Sequence, residues 1–92
     1  MRGPKYAKKR DDAEPDIVDA LKRVGAQVHK INEKSIPDLL VGFRRQWFLL
    51  EVKTGNRKPD QGQVDFLESA YGPAALVRSV DEALRVIGAK TT

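Results

Sequence analysis

Cysteine is absent from these 92 residues, so neither a disulfide nor a thiolate-bound zinc can hold the fold. The single histidine, His29, excludes a site built on several imidazoles and reads as an exposed strand residue. Oxygen ligands are what remain for any metal. Aromatic residues are scarce, at 7%, and no apolar run is long enough to cross a bilayer. The basic start, Met1 to Tyr6, does not lead into the apolar stretch and small-residue cleavage site of a secretory signal. The expectation is a cytoplasmic protein with no membrane partner.

What is abundant is charge. A third of the residues are ionised, with an excess of four positive charges, beside 40% apolar residues. A chain this long buries roughly 60% or more of its unfolded surface and forms one domain. The positive excess favours a polyanionic partner, although charge alone does not name one. Residues 1–10, with Arg2, Lys5, Lys8, Lys9 and Arg10 and little to bury, read as a basic arm or a solvated tail; residues 11–92 form the domain.

Asp11 and Asp12 offer N-caps for a helix that runs to about Val24, with Pro15 in its first turn and Gly25 as its stop. Ile17, Val18, Leu21 and Val24 share its apolar face, and Glu14 falls on the same stripe. That acid is either a first-turn residue favoured by the helix dipole or a functional group. Gln27–Ile31, Leu39–Gly42 and Trp47–Lys53 read as three strands of a meander, with a basic turn from Phe43 to Gln46. A loop of turn formers precedes a helix carrying Gln63, Phe66, Leu67 and Ala70, and Ala74–Arg78 is a fourth strand. Ser79 and Glu82 have capping-box spacing for a last helix that Gly88 ends. The expected order is αβββαβα, an α/β fold. Phe43, Trp47 and Phe48 suit an interface or the core, and at least two of them are expected in the core.

Three charged groups interrupt otherwise apolar strand sequence: Asp38, after Ile36-Pro37, and Glu51 and Lys53. Side chains two apart on a strand point to one face about 6.6–6.8 Å apart, so Glu51 and Lys53 project together while Leu50 and Val52 face the core. If the Asp38 end of the second strand pairs beside the Glu51 end of the third, the carboxylates converge. Magnesium suits two such acids, because it prefers oxygen ligands and keeps several waters. Lys53 is then placed to orient a water or to stabilise charge on a phosphate. Gln63 is a candidate for the rim of the same site. Arg44, Arg45, Arg57, Lys58 and Arg78 are candidate phosphate contacts. A solvated Glu–Lys pair beside a Pro-Asp turn is the bland alternative.

At Pro37-Asp38, Glu51-Val52-Lys53, Gln63 and Leu76-Val77-Arg78 followed by Ser79, the chain resembles the VRR-NUC family of the PD-(D/E)XK nuclease superfamily, over roughly residues 11–88. The resemblance implies a restriction-endonuclease-like αβββαβα core with a central mixed four-stranded sheet. It implies Mg2+ or Mn2+ bound by Asp38, Glu51 and the Val52 main-chain carbonyl, with Lys53 catalytic, Gln63 assisting and Glu14 matching a first-helix acid able to serve a second metal. It further implies a homodimer that cuts branched DNA such as Holliday junctions. Ser35 departs from a frequent glycine before the Pro-Asp, and Ser79 from a second arginine. The competing expectations are a nucleic-acid-binding module of the same fold that does not cut, and a basic interaction domain whose carboxylates hold a structural metal.

Overall fold

The computed structural model describes residues 9–90. Helix α1 (Glu14–Arg23) leads into strands β1 (Gln27–Lys30), β2 (Leu39–Phe43) and β3 (Gln46–Val52), then helix α2 (Gln61–Ser69), strand β4 (Ala74–Val77) and helix α3 (Val80–Ile87). The sheet order is β1-β2-β3-β4, antiparallel through the meander and parallel between β3 and β4. The α/β class, the element order and the mixed four-stranded sheet are as expected. No described helix is long and apolar enough to cross a membrane.

Alternation along the strands decides where the core lies. Leu39 and Val41 on β2, Phe48, Leu50 and Val52 on β3 and Val77 on β4 share one face and are buried. Against them pack Ile17, Val18 and Leu21 of α1 and Ala83, Leu84 and Ile87 of α3, whose spacings place each set on one side of its helix. Phe48 is in this core and Phe43 packs on it, whereas Trp47 is half exposed on the opposite face, with its ring against Gly42. A Cβ at Gly42 would come within 2.8 Å of that ring, so glycine is what lets it lie there.

Both ends of α1 differ from expectation. Val24 is exposed, because it is the C-cap residue and the chain turns away at Gly25, where φ is +93°. The N-cap is Ala13, with no side-chain cap. Asp11 only begins the turn: its carbonyl accepts from Glu14 N at 3.0 Å, while its carboxylate is drawn into the tertiary structure. Pro15 in the first turn carries no N–H, so fewer donors there need a cap.

Two turns carry left-handed backbone without glycine. Ser35 has φ +67°, which accounts for glycine being the more comfortable residue before Pro37-Asp38, and its side chain packs where a Cβ on Gly62 of α2 would otherwise stand. The β2–β3 hairpin closes on Arg44 and Arg45 alone, both left-handed, at φ 53° and 64°. Such a two-residue turn matches the twist of the strands but favours Asn-Gly. Arg44 is tied down, with its guanidinium 4.9 Å from the centre of the Phe43 ring and Nη1 donating to Gly88 O at 3.3 Å. Arg45 is exposed, and a left-handed L-residue costs about 1–2 kcal/mol. Arg45→Gly is therefore expected to stabilise the protein, raising the midpoint of thermal unfolding by a few degrees at about 4–8 °C per kcal/mol; a lowered midpoint would show that the Arg45 side chain makes a stabilising contact.

Candidate active site

The pairing of β2 with β3 sets the site. Leu39 faces Leu50, and the same register carried one residue further sets Asp38 opposite Glu51. Directly opposed residues of an antiparallel pair have Cβ atoms about 4.5–5.5 Å apart, on the same face of the sheet. Both acids are buried, Glu51 completely and Asp38 to within 5%. Two carboxylates so placed repel when both are ionised. The fold therefore brings two like charges together in its interior.

Three groups are placed to offset that repulsion. Val52 N donates to Asp38 Oδ2 at 2.8 Å, a charge-assisted bond. Because the N–H and C=O of a strand residue leave the same edge, the Val52 carbonyl also faces β2 and Asp38. Lys53 Nζ is 3.2 Å from Glu51 Oε2, and Lys53 is largely buried. Arg10 Nη1 is 3.8 Å from Asp38 Oδ1 and 3.4 Å from its carbonyl oxygen. Two opposed carboxylates beside a main-chain carbonyl form an oxygen donor set of the kind a hard divalent cation takes. Among the described residues no cluster of three or more His, Cys, Asp or Glu side chains is arranged to hold a metal.

Glu14 is buried beside these groups, yet faces cations. Arg10 Nη1 is 3.3 Å and Lys30 Nζ 3.9 Å from its carboxylate. Burial pushes its pKa above the ordinary 4.5, helped by the charge of Asp38, while Arg10 and Lys30 pull it down less strongly. Gln63 lines the cleft and is buried, but its side-chain oxygen accepts from Asp60 N at 2.9 Å and its own N–H donates to Asp60 Oδ1 at 2.8 Å. That capping box opens α2 and commits the oxygen of Gln63 to structure.

The cleft above Asp38 and Lys53 has a volume of about 240 Å³, and Lys9, Lys34 and Arg57 stand on its wall. Of the five arginines and lysines expected at phosphates, Arg57 is thus on the cleft and Lys58 is exposed in the loop that follows. Arg78 is committed elsewhere, its Nη1 donating to Gly55 O and Arg57 O at 2.7 Å, so it clamps that loop. Arg44 and Arg45 sit at the far end of the sheet, Arg45 six residues or about 20 Å along the strand from Glu51. A larger hollow, about 420 Å³, lies there beside Trp47 but contains no carboxylate.

Sequence reasoning missed the dipeptide Arg10-Asp11. Arg10 falls in the stretch read as a basic arm, of which residues 1–8 lie outside the described residues. It instead binds the site, with Nη2 donating to Ile31 O at 3.0 Å and to Asn32 Oδ1. Asp11 binds the other side, accepting from Thr54 N at 3.0 Å, from Thr54 Oγ1 and from Arg57 Nη1 at 3.4 Å. Consecutive residues thus tie the start of β2 and the end of β3 to one point. The i,i+4 spacing of Arg10 and Glu14 was the available signal.

Comparison with protein-family models and with curated proteins gives no match.

Asp11 and Glu14 leave opposite marks on stability. Burial raises the Asp11 pKa, but the bonds from Thr54 and Ala13 and the charge of Arg57 outweigh it and hold the group below its ordinary 3.8. Its stabilisation is present above that value and is lost as pH falls through the lower folded pKa. The raised Glu14 works the other way: its contribution is present below 4.5 and is lost as pH rises through the folded pKa. Denaturation across pH 3 to 7 is expected to show Asp11→Asn costing about 1–3 kcal/mol near neutrality and less in acid. Glu14→Gln is expected to gain relative to wild type as pH rises; the reverse trends would contradict this assignment of charge.

Proposed function

We propose that this protein is a divalent-metal-dependent endodeoxyribonuclease of the VRR-NUC type, with a restriction-endonuclease-like core, that hydrolyses phosphodiester bonds in branched DNA. The observation that carries the reading is the opposition of Asp38 and Glu51 across β2 and β3, with Lys53 3.2 Å from Glu51, beside a basic cleft. Asp38, Glu51 and the Val52 carbonyl would hold Mg2+ or Mn2+. When bound, such an ion polarises the scissile phosphate and makes water a better nucleophile at neutral pH.

The chain's own residues supply the rest. Lys53, held on Glu51, orients the attacking water or stabilises charge on the phosphate oxygens. Lys9, Lys34 and Arg57 pair with backbone phosphates at the cleft without reading bases. Gln63 holds the cleft wall through its capping box and presents its amide from there. Arg45, about 20 Å away, would meet a duplex roughly six base pairs from the cut. One site cuts one strand, so symmetric resolution of a junction requires two chains, and a two-fold homodimer matches a two-fold junction. The half-exposed Trp47, beside Leu40 and Leu49 on the sheet face opposite the core, is the apolar surface available for that pairing.

The test is cleavage of a labelled four-way junction in magnesium, beside matched duplex and single-stranded DNA. Wild type is expected to cut the junction in preference, and Lys53→Ala to lose about 100-fold or more in rate while still binding the junction in calcium. Equal cutting of all three DNAs would keep the nuclease and remove junction selectivity. Binding without any cutting in magnesium or manganese would make the protein a DNA-binding module.

A further inference from the structure

A second metal at this site would need a third acid; of the other buried acids among the described residues Asp11 is taken up by Thr54 and Arg57, which leaves Glu14. The space between Glu14 and Asp38 already contains a cation. Arg10 Nη1 lies 3.3 Å from Glu14 Oε1 and 3.8 Å from Asp38 Oδ1, bridging two carboxylates much as a second ion would. Its position is over-determined: Nη1 also reaches the Asp38 carbonyl, and Nη2 donates to Ile31 O and Asn32 Oδ1. A guanidinium stays charged at any working pH, so this cation is permanent. Lys30 adds a second positive group to Glu14.

We infer that Arg10 is a positioning residue that takes the place of a second metal, leaving one divalent ion per chain at Asp38 and Glu51 and making Glu14 its counter-ion. This rests on the metal-dependent reading above. It assigns Glu14 to the support of Arg10, and through Arg10 to the orientation of Asp38. Arg10 thereby sits beside the cleft on whose wall Lys9 also stands.

Ion counting tests this without reference to cleavage. Calorimetric titration of the full chain with Mn2+, with the bound ion counted by electron paramagnetic resonance, is expected to give about one ion per chain. Asp38→Asn should abolish that binding, whereas Glu14→Gln, whose amide oxygen can still accept from Arg10 Nη1, should leave the affinity within about twofold, since loss of a true ligand costs about tenfold or more. Arg10→Ala opens the space and is expected to admit a second, weaker ion, which the double variant Arg10→Ala with Glu14→Gln loses again. Arg10→Lys, which keeps the charge, should stay at one. If Arg10→Ala does not fold, the wild-type count and Glu14→Gln decide. Two ions on wild type, a tenfold loss in Glu14→Gln, or a folded Arg10→Ala that still takes one ion overturns the inference while the metal site stands. A wild type that takes up no Mn2+ overturns both.

Discussion

Two buried carboxylates facing each other across a pair of strands are the constraint on which the rest of this structure depends. A domain of this size has a net stability of only about 5–15 kcal/mol, so repulsion between two buried carboxylates is a cost that its surroundings must offset. The surroundings read as responses to that repulsion. A backbone N–H meets Asp38, an ammonium meets Glu51, and a guanidinium stands beside Asp38 and Glu14. A core evolved for stability alone would place apolar residues there, since replacing buried ionic groups with well-packed apolar ones is commonly neutral or favourable. Retention of the charges points to use.

The remaining fold serves to hold the ends of the two strands still. The core face of the sheet and helices α1 and α3 form one apolar body, which fixes the register of β2 on β3 and hence the opposition of the acids. A slip of one residue would exchange every inward and outward side chain, so burial of Leu39, Val41, Leu50 and Val52 enforces the site's geometry from below. From outside, Arg10 and Asp11 reach in opposite directions, to Ile31 and Asn32 on one side and Thr54 and Arg57 on the other. Arg78 holds the loop beyond β3, and the capping box of Asp60 and Gln63 sets the helix that borders the cleft. Strain is admitted where it does not weaken this frame, at Ser35 and at the Arg44-Arg45 turn.

Much of this was legible in the sequence because it depends on local period. Alternation in the strands and the spacing of Ile17, Leu21, Leu84 and Ile87 predict the element order, and strand geometry alone places Glu51 and Lys53 on one face. The pairing of Asp38 with Glu51 follows from a short hairpin whose strands are apolar on one side. The parts that were not legible are contacts between distant segments. Arg10 and Asp11 find partners 21 to 46 residues away, and nothing in a basic tail distinguishes an anchored arginine from a solvated one. Arg78 has the composition of a phosphate contact but spends its guanidinium on two carbonyls. Arg44 and Arg45 lie away from the cleft for a simpler reason: the turn that joins two strands is at the end opposite their site-bearing termini. Val24 and the Asp11 cap erred because a terminal residue is claimed by whichever tertiary partner is nearest.

If Asp38 and Glu51 hold a divalent ion, that ion offsets the repulsion between them. Thermal unfolding of wild type and Asp38→Asn, each in chelator and in saturating Mn2+, tests it most directly. Asp38→Asn is expected to be more stable than wild type in chelator, and Mn2+ at a hundredfold excess over Kd to raise the wild-type midpoint by roughly 10–20 °C, the equivalent of about 2.7 kcal/mol, while leaving the variant unchanged. A wild type indifferent to Mn2+, or a variant destabilised in chelator and shifted as far as wild type by the ion, would contradict it.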